Sequence, residues 1–240
     1  MKKKLGLTYG IITNQGGRKI NEDSVGSFNN RIFVLCDGLG GHGNGDVASQ
    51  LVVEQMLSCY SNQNMSVEEG VVFSQEALLL RQRELNIKNS MKTTLTCLEI
   101  SNNLAKIVYI GDSRVYLFEN NKYKFRTLDH SVPQMLVQRG AIKEKDIRHH
   151  EDRSRLLRVM GAEWDSPKYQ VVDGIKLTDR TTFLLCSDGF WELIDEKMMS
   201  KTLKKSKTPQ EWLSAMEKIV LMNGKGTNMD NYSAIAVFIR

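Results

Sequence analysis

The chain alternates between two rhythms of polarity. Short runs rich in β-branched, aromatic and leucine residues occur at 7–12 (LTYGII), 31–36 (RIFVLC), 93–100 (TTLTCLEI), 104–110 (LAKIVYI), 114–119 (RVYLFE), 122–127 (KYKFRT), 168–173 (KYQVVD), 181–186 (TTFLLC) and 232–239 (YSAIAVFI). Such runs predict strands. Stretches with helical spacing fill the gaps at 45–60, 67–86, 132–140, 195–204 and 209–222, and several open on start signals. Ser66-Val67-Glu68-Glu69 and Ser131-Val132-Pro133-Gln134 read as capping boxes, and Thr208-Pro209 puts proline at the first helical position. Asn102-Asn103 and Asn120-Asn121 are short turns between strands, so 93–127 reads as an antiparallel meander. Segment 221–229 (LMNGKGTNM) reads as a loop before a last strand that must rejoin a sheet. Helices grouped between blocks of antiparallel strands predict an α+β layered sandwich rather than a doubly wound parallel sheet. With no internal repeat or low-complexity linker, the expectation is one domain over 1–240.

Composition alters this picture little. A chain of 240 residues, 41% apolar and 25% charged, suits a globular protein with a substantial core. The formal charge of +5 lies in solvated clusters such as Lys2, Lys3, Lys4 and Lys201, Lys204, Lys205, Lys207. That is too diffuse for a nucleic-acid surface. Cys36, Cys59, Cys97 and Cys186 never form a CxxC pair, which argues against zinc and against a disulfide framework. Nowhere do 18 apolar residues run together, and the basic start lacks a cleavage pattern, so a cytoplasmic location with no membrane contact is expected.

The candidate chemistry lies where strands stop. RIFVLCDGLGGHGNG ends its apolar run on Asp37 and then places five glycines in eight positions. A lone Asp-Gly is most often a turn. The device recurs, however: Asp188 follows TTFLLC, Asp112 separates two strands, Asp230 precedes the last strand, and GGRKINEDSV supplies Glu22 and Asp23. Carboxylates held together at strand ends repel one another unless cations neutralise them. An oxygen-only donor set suits Mg²⁺ or Mn²⁺ rather than zinc, and bare glycine backbone permits close approach to an ion.

Taken in order, GGRKINEDS, FVLCDGLGGHGNGDVAS, TTLTCL, VYIGDSRVYLF, LDHSVPQMLVQRGAI, RLLRVMG, LLCSDGFWELI and NMDNYSAIAV closely resemble the metal-dependent Ser/Thr protein phosphatases, the type 2C or PPM family, in their compact bacterial form. The resemblance spans roughly residues 8 to 239. It implies a four-layer α/β/β/α sandwich with two antiparallel sheets and a centre of two Mn²⁺ or Mg²⁺ ions at one end. Asp37 then corresponds to the bridging ligand, with the Gly38 carbonyl and Glu22 on the second metal and Asp188 and Asp230 on the first. Asp23 and Asn231 stand behind these ligands. Asp112, with Asp188 and Glu192, matches a third, weaker metal site; the alternative for Asp112 is a turn acid between strands. Arg18, four residues before Glu22, matches the arginine that binds substrate phosphate, a task for which a planar guanidinium fork is suited. The implied reaction is hydrolysis of phosphoserine and phosphothreonine by direct attack of a water or hydroxide bridging the metals, with no covalent phosphoenzyme.

Leu39 stands beside the Asp-Gly pair where eukaryotic relatives carry a histidine, and His42 is the first histidine after it, so the general acid stays open between His42 and a water. Cys36 and Cys186 read as strand packing, and His149-His150 as a surface loop. Residues 129–161 resemble a mobile flap that contacts protein substrate, with the charged run KEKDIRHHEDRSR as an exposed element. The implied partners are phosphorylated proteins, opposite a bacterial Ser/Thr kinase, met by a monomer. Two rival functions are a non-catalytic binding module that has kept the fold, against which the intact acids count, and a dedicated switch phosphatase for one small signalling protein.

Overall fold

The computed structural model describes residues 5–40, 43–62 and 65–240. Among the described residues, ten strands form two five-stranded antiparallel sheets. The first has the order β1 (Leu7–Asn14), β10 (Tyr232–Ile239), β9 (Thr181–Cys186), β6 (Arg114–Glu119), β7 (Lys122–Arg126). The second has the order β2 (Asp23–Phe28), β3 (Ile32–Asp37), β4 (Leu95–Ser101), β5 (Leu104–Ile110), β8 (Gln170–Lys176). Six helices accompany them: α1 (Gly45–Asn62), α2 (Val67–Glu84), α3 (Val132–Gln138), the single turn α4 (Asp188–Trp191), α5 (Glu196–Leu203) and α6 (Pro209–Gly224).

Three layers of apolar contact make this the expected four-layer sandwich. Side chains alternate along each strand, and both faces of the central strands are covered. In β3, Ile32, Val34 and Cys36 face the α1 and α2 layer, while Phe33 and Leu35 face the other sheet. In β9, Leu184 and Cys186 pack toward α5 and α6, and Phe183 and Leu185 lie between the sheets. That double burial is why these strands read as unbroken apolar runs instead of alternating ones.

Local signals explain most element ends. Ser66 caps α2 with a full reciprocal capping box to Glu69, and Thr208 accepts from the Glu211 amide with Pro209 in the first turn of α6. The Ser131 box is only half made. Ser131 accepts from the Gln134 amide at 3.4 Å, but the Gln134 side chain turns away to accept from Arg126 Nη2 at 2.9 Å. A buried guanidinium outbids a backbone amide for that oxygen.

Two expectations need correction. The strands over 93–127 are not one meander: β4 and β5 belong to the second sheet and β6 and β7 to the first, so the chain crosses between sheets at 111–113. Gly111 makes that crossing with φ +103°, packed so tightly that a β-carbon would lie 2.6 Å from the Thr94 methyl. Strand β2 was not anticipated. It pairs with β3 through Asn29-Asn30, whose φ values of 51° and 55° match those of the Asn102-Asn103 and Asn120-Asn121 turns. All three hairpins turn on an asparagine pair in the left-handed region, as a type I′ turn requires.

The flap-like segment is partly folded into the body. Asp129, His130, Ser131, Gln134, Ile147, Val159 and Met160 are buried, and isolated bridges tie Ser131 to Leu156 and Met160 to Thr93. Within the charged run, a 3₁₀ turn at Glu144–His149 buries Ile147. His149 is exposed, and His150 accepts from the Asp152 amide at 3.1 Å.

Candidate active site

Five chain segments bring their acids to one end of the sandwich: the end of β3 (Asp37), the entry to β2 (Glu22, Asp23), the sheet crossing (Asp112), the start of α4 (Asp188) and the entry to β10 (Asp230). Glu22, Asp37, Gly38, Asp112, Asp188 and Asp230 all line a single open cavity of about 870 Å³, with Arg18 at its edge.

Backbone clamps hold Asp37. Its amide donates to Thr94 Oγ1 at 2.9 Å, and its carbonyl accepts from the Thr94 amide and from Thr93 Oγ1, both at 2.8 Å. The Thr94 hydroxyl also meets Ser113 Oγ at 2.7 Å, which links the β3 end to the Asp112 crossing. Glu22 is fixed from two sides. Its amide donates to Asn231 Oδ1 at 2.9 Å, and its carbonyl accepts from the Gly38 amide at 3.0 Å and Ser49 Oγ at 2.6 Å. Asn231 Nδ2 donates to the Gln15 and Ile20 carbonyls, both at 2.9 Å, so this side chain braces the loop that carries Arg18.

The glycines after Asp37 answer to space. A β-carbon on Gly40 would lie 2.0 Å from Glu22 Oε2, and one on Gly38 would lie 2.2 Å from the Gly45 carbonyl. On Gly189 it would lie 2.1 Å from the Asn231 carbonyl. At Gly38 and Gly189, where the contact is with backbone, any side chain would push the acid-bearing loops apart; at Gly40 it would displace the Glu22 carboxylate.

The electrostatics are those of crowded carboxylates. Burial and then the neighbouring acids hold Asp37 and Asp112 well above the ordinary carboxylate range. Burial, together with the charges of Glu192 and Asp230, pushes Asp188 up to about 7, although a hydrogen bond shared with Asp37 opposes this. Asp23, directly opposite Asp37 in the β2–β3 register, is raised by burial to about 7. Ser187 Oγ donates to Asp23 Oδ2 at 2.8 Å, while Oδ1 is buried without a hydrogen-bond partner. Among the described residues, no three acid, histidine or cysteine side chains already converge at ligating distance on one point. The acids instead ring the cavity, a spacing suited to a hard cation that keeps several of its waters. The all-oxygen donor set, the mutual repulsion, the orphaned Asp23 oxygen and the glycine cradle around Glu22 all fit such cations.

Not every expected residue sits as the sequence suggested. Arg18 Nη2 bonds Asp230 Oδ2 at 2.8 Å, both side chains nearly half exposed. Glu192 is directed to Arg153 Nε at 3.1 Å and is not part of the cavity wall, so its effect on the acids is through charge on Asp188. His42 lies outside the described residues. Cys36, Cys97 and Cys186 are buried with thiols pushed up by desolvation, as packing residues should be.

Sequence reasoning passed over a buried network behind the crossing. Arg114 makes two bonds to Asp129, at 2.8 and 2.6 Å, and lies 3.3 Å over the Trp191 ring; Trp191 Nε1 in turn donates to the Asp112 carbonyl at 3.0 Å. His130 Nδ1 accepts from the Gly111 amide at 3.0 Å, and burial lowers its pKa to about 4, so it is neutral. The only trace in the sequence was that GDSR and LDHS stood among the linked motifs.

No family model matches the chain. Serine/threonine phosphatase Stp of Listeria monocytogenes is 32% identical over 208 residues, covering 81% of each chain. The crystal structure of Ser/Thr phosphatase Stp1 from Staphylococcus aureus superposes with a TM-score of 0.86 at 27% identity, covering 98% of this chain and 96% of that one. The catalytic domain of the Ser/Thr protein phosphatase PstP, solved in complex with two manganese ions, superposes with a TM-score of 0.82 at 25% identity, covering 98% and 99%.

Proposed function

Because the chain belongs to the metal-dependent Ser/Thr protein phosphatases, the PPM family, we propose that residues 1–240 form one catalytic domain whose carboxylate cavity dephosphorylates phosphoserine and phosphothreonine in proteins. The observation that carries this is the convergence of Glu22, Asp37, Asp112, Asp188 and Asp230, from both sheets, on one cavity edged by Arg18.

On this reading Asp37 would serve both of two Mn²⁺ or Mg²⁺ ions, Asp188 and Asp230 would help hold one, and Glu22 and the Gly38 carbonyl would help hold the other. Asp112 would hold a third. When bound, the cations neutralise the acids, polarise the phosphoryl group and lower the pKa of water. The chain's own contribution is placement. Thr93 and Thr94 fix the Asp37 backbone, Asn231 fixes Glu22 and the Arg18 loop, and Asp23 stands behind Asp37, where its unpartnered oxygen would orient a water. Arg18 offers paired N–H groups to the phosphate once its bond to Asp230 is exchanged for that ligand. The segment 129–161 borders the cavity through Ser154, Arg155, Leu156 and Val159 and so meets the protein substrate. Substrates made by a bacterial Ser/Thr kinase, a cytoplasmic setting and a monomeric state complete the proposal; no described helix is long and apolar enough to cross a membrane.

The test is hydrolysis of a phosphothreonine peptide by metal-stripped protein, with and without Mn²⁺ or Mg²⁺, beside Asp188→Asn. Activity should require the ion and fall by at least ~10²-fold in the variant, about 2.7 kcal/mol of lost barrier reduction. A folded wild type that stays inactive with each divalent ion would overturn the assignment in favour of a binding module.

A further inference from the structure

The cavity carries two opposite layers of charge. Its floor is the carboxylate ring, and its wall adds Lys19, Lys92 and Arg155, with Ile20 and Leu156 as apolar surface between them. Arg18 is already matched to Asp230. Among the described residues no carboxylate pairs with Lys19 or Lys92, and Arg155 faces Asp152 only at 4.0 Å, with the arginine side chain 71% exposed.

These three cations project from anchored backbone. The Lys92 carbonyl accepts from the Leu39 amide at 2.9 Å, beside the Asp37-Gly38 turn. The Arg155 carbonyl accepts from the Val132 amide at 3.0 Å, and the Leu157 amide donates to the His130 carbonyl at 2.7 Å, which pins that side of the wall. Asn231 holds the loop bearing Lys19 through the Ile20 carbonyl. The cavity of about 870 Å³ extends from the acids to these cations, which leaves room beside a phosphorylated side chain for the residues that flank it.

Resting on the phosphatase reading, we propose that this chain selects phosphopeptides with acidic residues flanking the phosphorylated serine or threonine, and that Lys19, Lys92 and Arg155 read those flanks. Each contact is between exposed ions and is individually small. Three of one sign around one opening steer an anionic segment in and repel a basic one, which is how charge produces specificity. The cations of the floor site, when bound, remove the opposing negative field.

The experiment compares three phosphothreonine peptides, identical except for glutamate, alanine or lysine at the flanking positions, on Mn²⁺-loaded protein, with a small aryl phosphate as flank-free control. The expected kcat/KM is about 10-fold higher for the glutamate peptide than for the alanine peptide at low salt, lowest for the lysine peptide, with the differences collapsing near ~0.5 M salt. Calorimetric binding of the corresponding non-hydrolysable phosphonate peptides should follow the same order. Lys92→Glu combined with Arg155→Glu should invert the preference toward lysine flanks; Arg155→Glu alone, at an exposed position, should narrow it by about 3-fold. Equal kcat/KM on all three peptides, with the aryl phosphate turned over, overturns the inference and leaves the phosphatase standing. No turnover of aryl phosphate or peptides overturns the phosphatase reading and the inference with it.

Discussion

Thr94 shows how much of the site depends on a residue with no chemistry of its own. Its hydroxyl accepts from the Asp37 amide and meets Ser113 Oγ, so a single oxygen joins the end of β3 to the sheet crossing. Thr94→Val keeps the shape and strands a buried N–H and a buried hydroxyl, and such losses cost about 1–3 kcal/mol. Denaturant unfolding should show that loss, with a higher Mn²⁺ concentration needed for half-activation, and Thr94→Ser should restore both. The carboxylates themselves were legible, because an apolar run that stops on an acid is a local pattern. Their supports were not. Thr94 lies 57 positions from Asp37, Ser187 lies 164 from Asp23, and Asn231 lies 209 from Glu22. Thr94 reaches Asp37 only when β3 pairs with β4, and the other two pairs form only where the two sheets meet.

Elements show the same boundary between local and distant information. The apolar runs marked nine of the ten described strands: in the central strands burial on both faces leaves few polar interruptions, and the edge strands β1, β7 and β8 stood out by their β-branched and aromatic residues. Strand β2, DSVGSF, is at the sheet edge and too polar to stand out, yet Asn29-Asn30 carries the same signature as the two turns that were read correctly. The crossing after β5 looked like another short hairpin, because nothing in Gly111-Asp112-Ser113 announces which sheet the next strand joins. Helix α2 adds a role invisible in its pattern. Gln82 Nε2 donates to the Gly161 carbonyl at 2.7 Å, and Gln75 Oε1 accepts from the Gly161 amide at 2.8 Å. Two buried glutamines thereby clip the far end of the 129–161 segment, one residue from the Met160–Thr93 bridge. Gln82→Leu should speed amide hydrogen exchange around 156–164 and lower stability by about 1–3 kcal/mol. Arg81→Ala, one residue away and half exposed, should change neither by more than about 0.5 kcal/mol.

For the molecule as a whole, the acids at one pole oppose the packing beneath them. Asp23 and Asp188 have folded-state pKa values raised to about 7, and Asp37 and Asp112 are raised as well. Between the ordinary carboxylate pKa of about 4 and these raised values, the native state holds more protons than the unfolded chain, so its stability falls as pH rises. In the presence of chelator, the denaturation midpoint should therefore drop from about pH 5 to about pH 8, the reverse of ordinary acid denaturation. Added Mn²⁺ should recover the loss at the higher pH and do little at the lower, where protons already occupy the acids. The stacking of Arg114 on Trp191 gives the same pole an optical voice. The indole lies in van der Waals contact with that guanidinium, with Arg148 5.4 Å from its centroid and its N–H tied to the Asp112 carbonyl. A native fluorophore thus stands one hydrogen bond from the backbone of a cavity acid, inside the protein's own core.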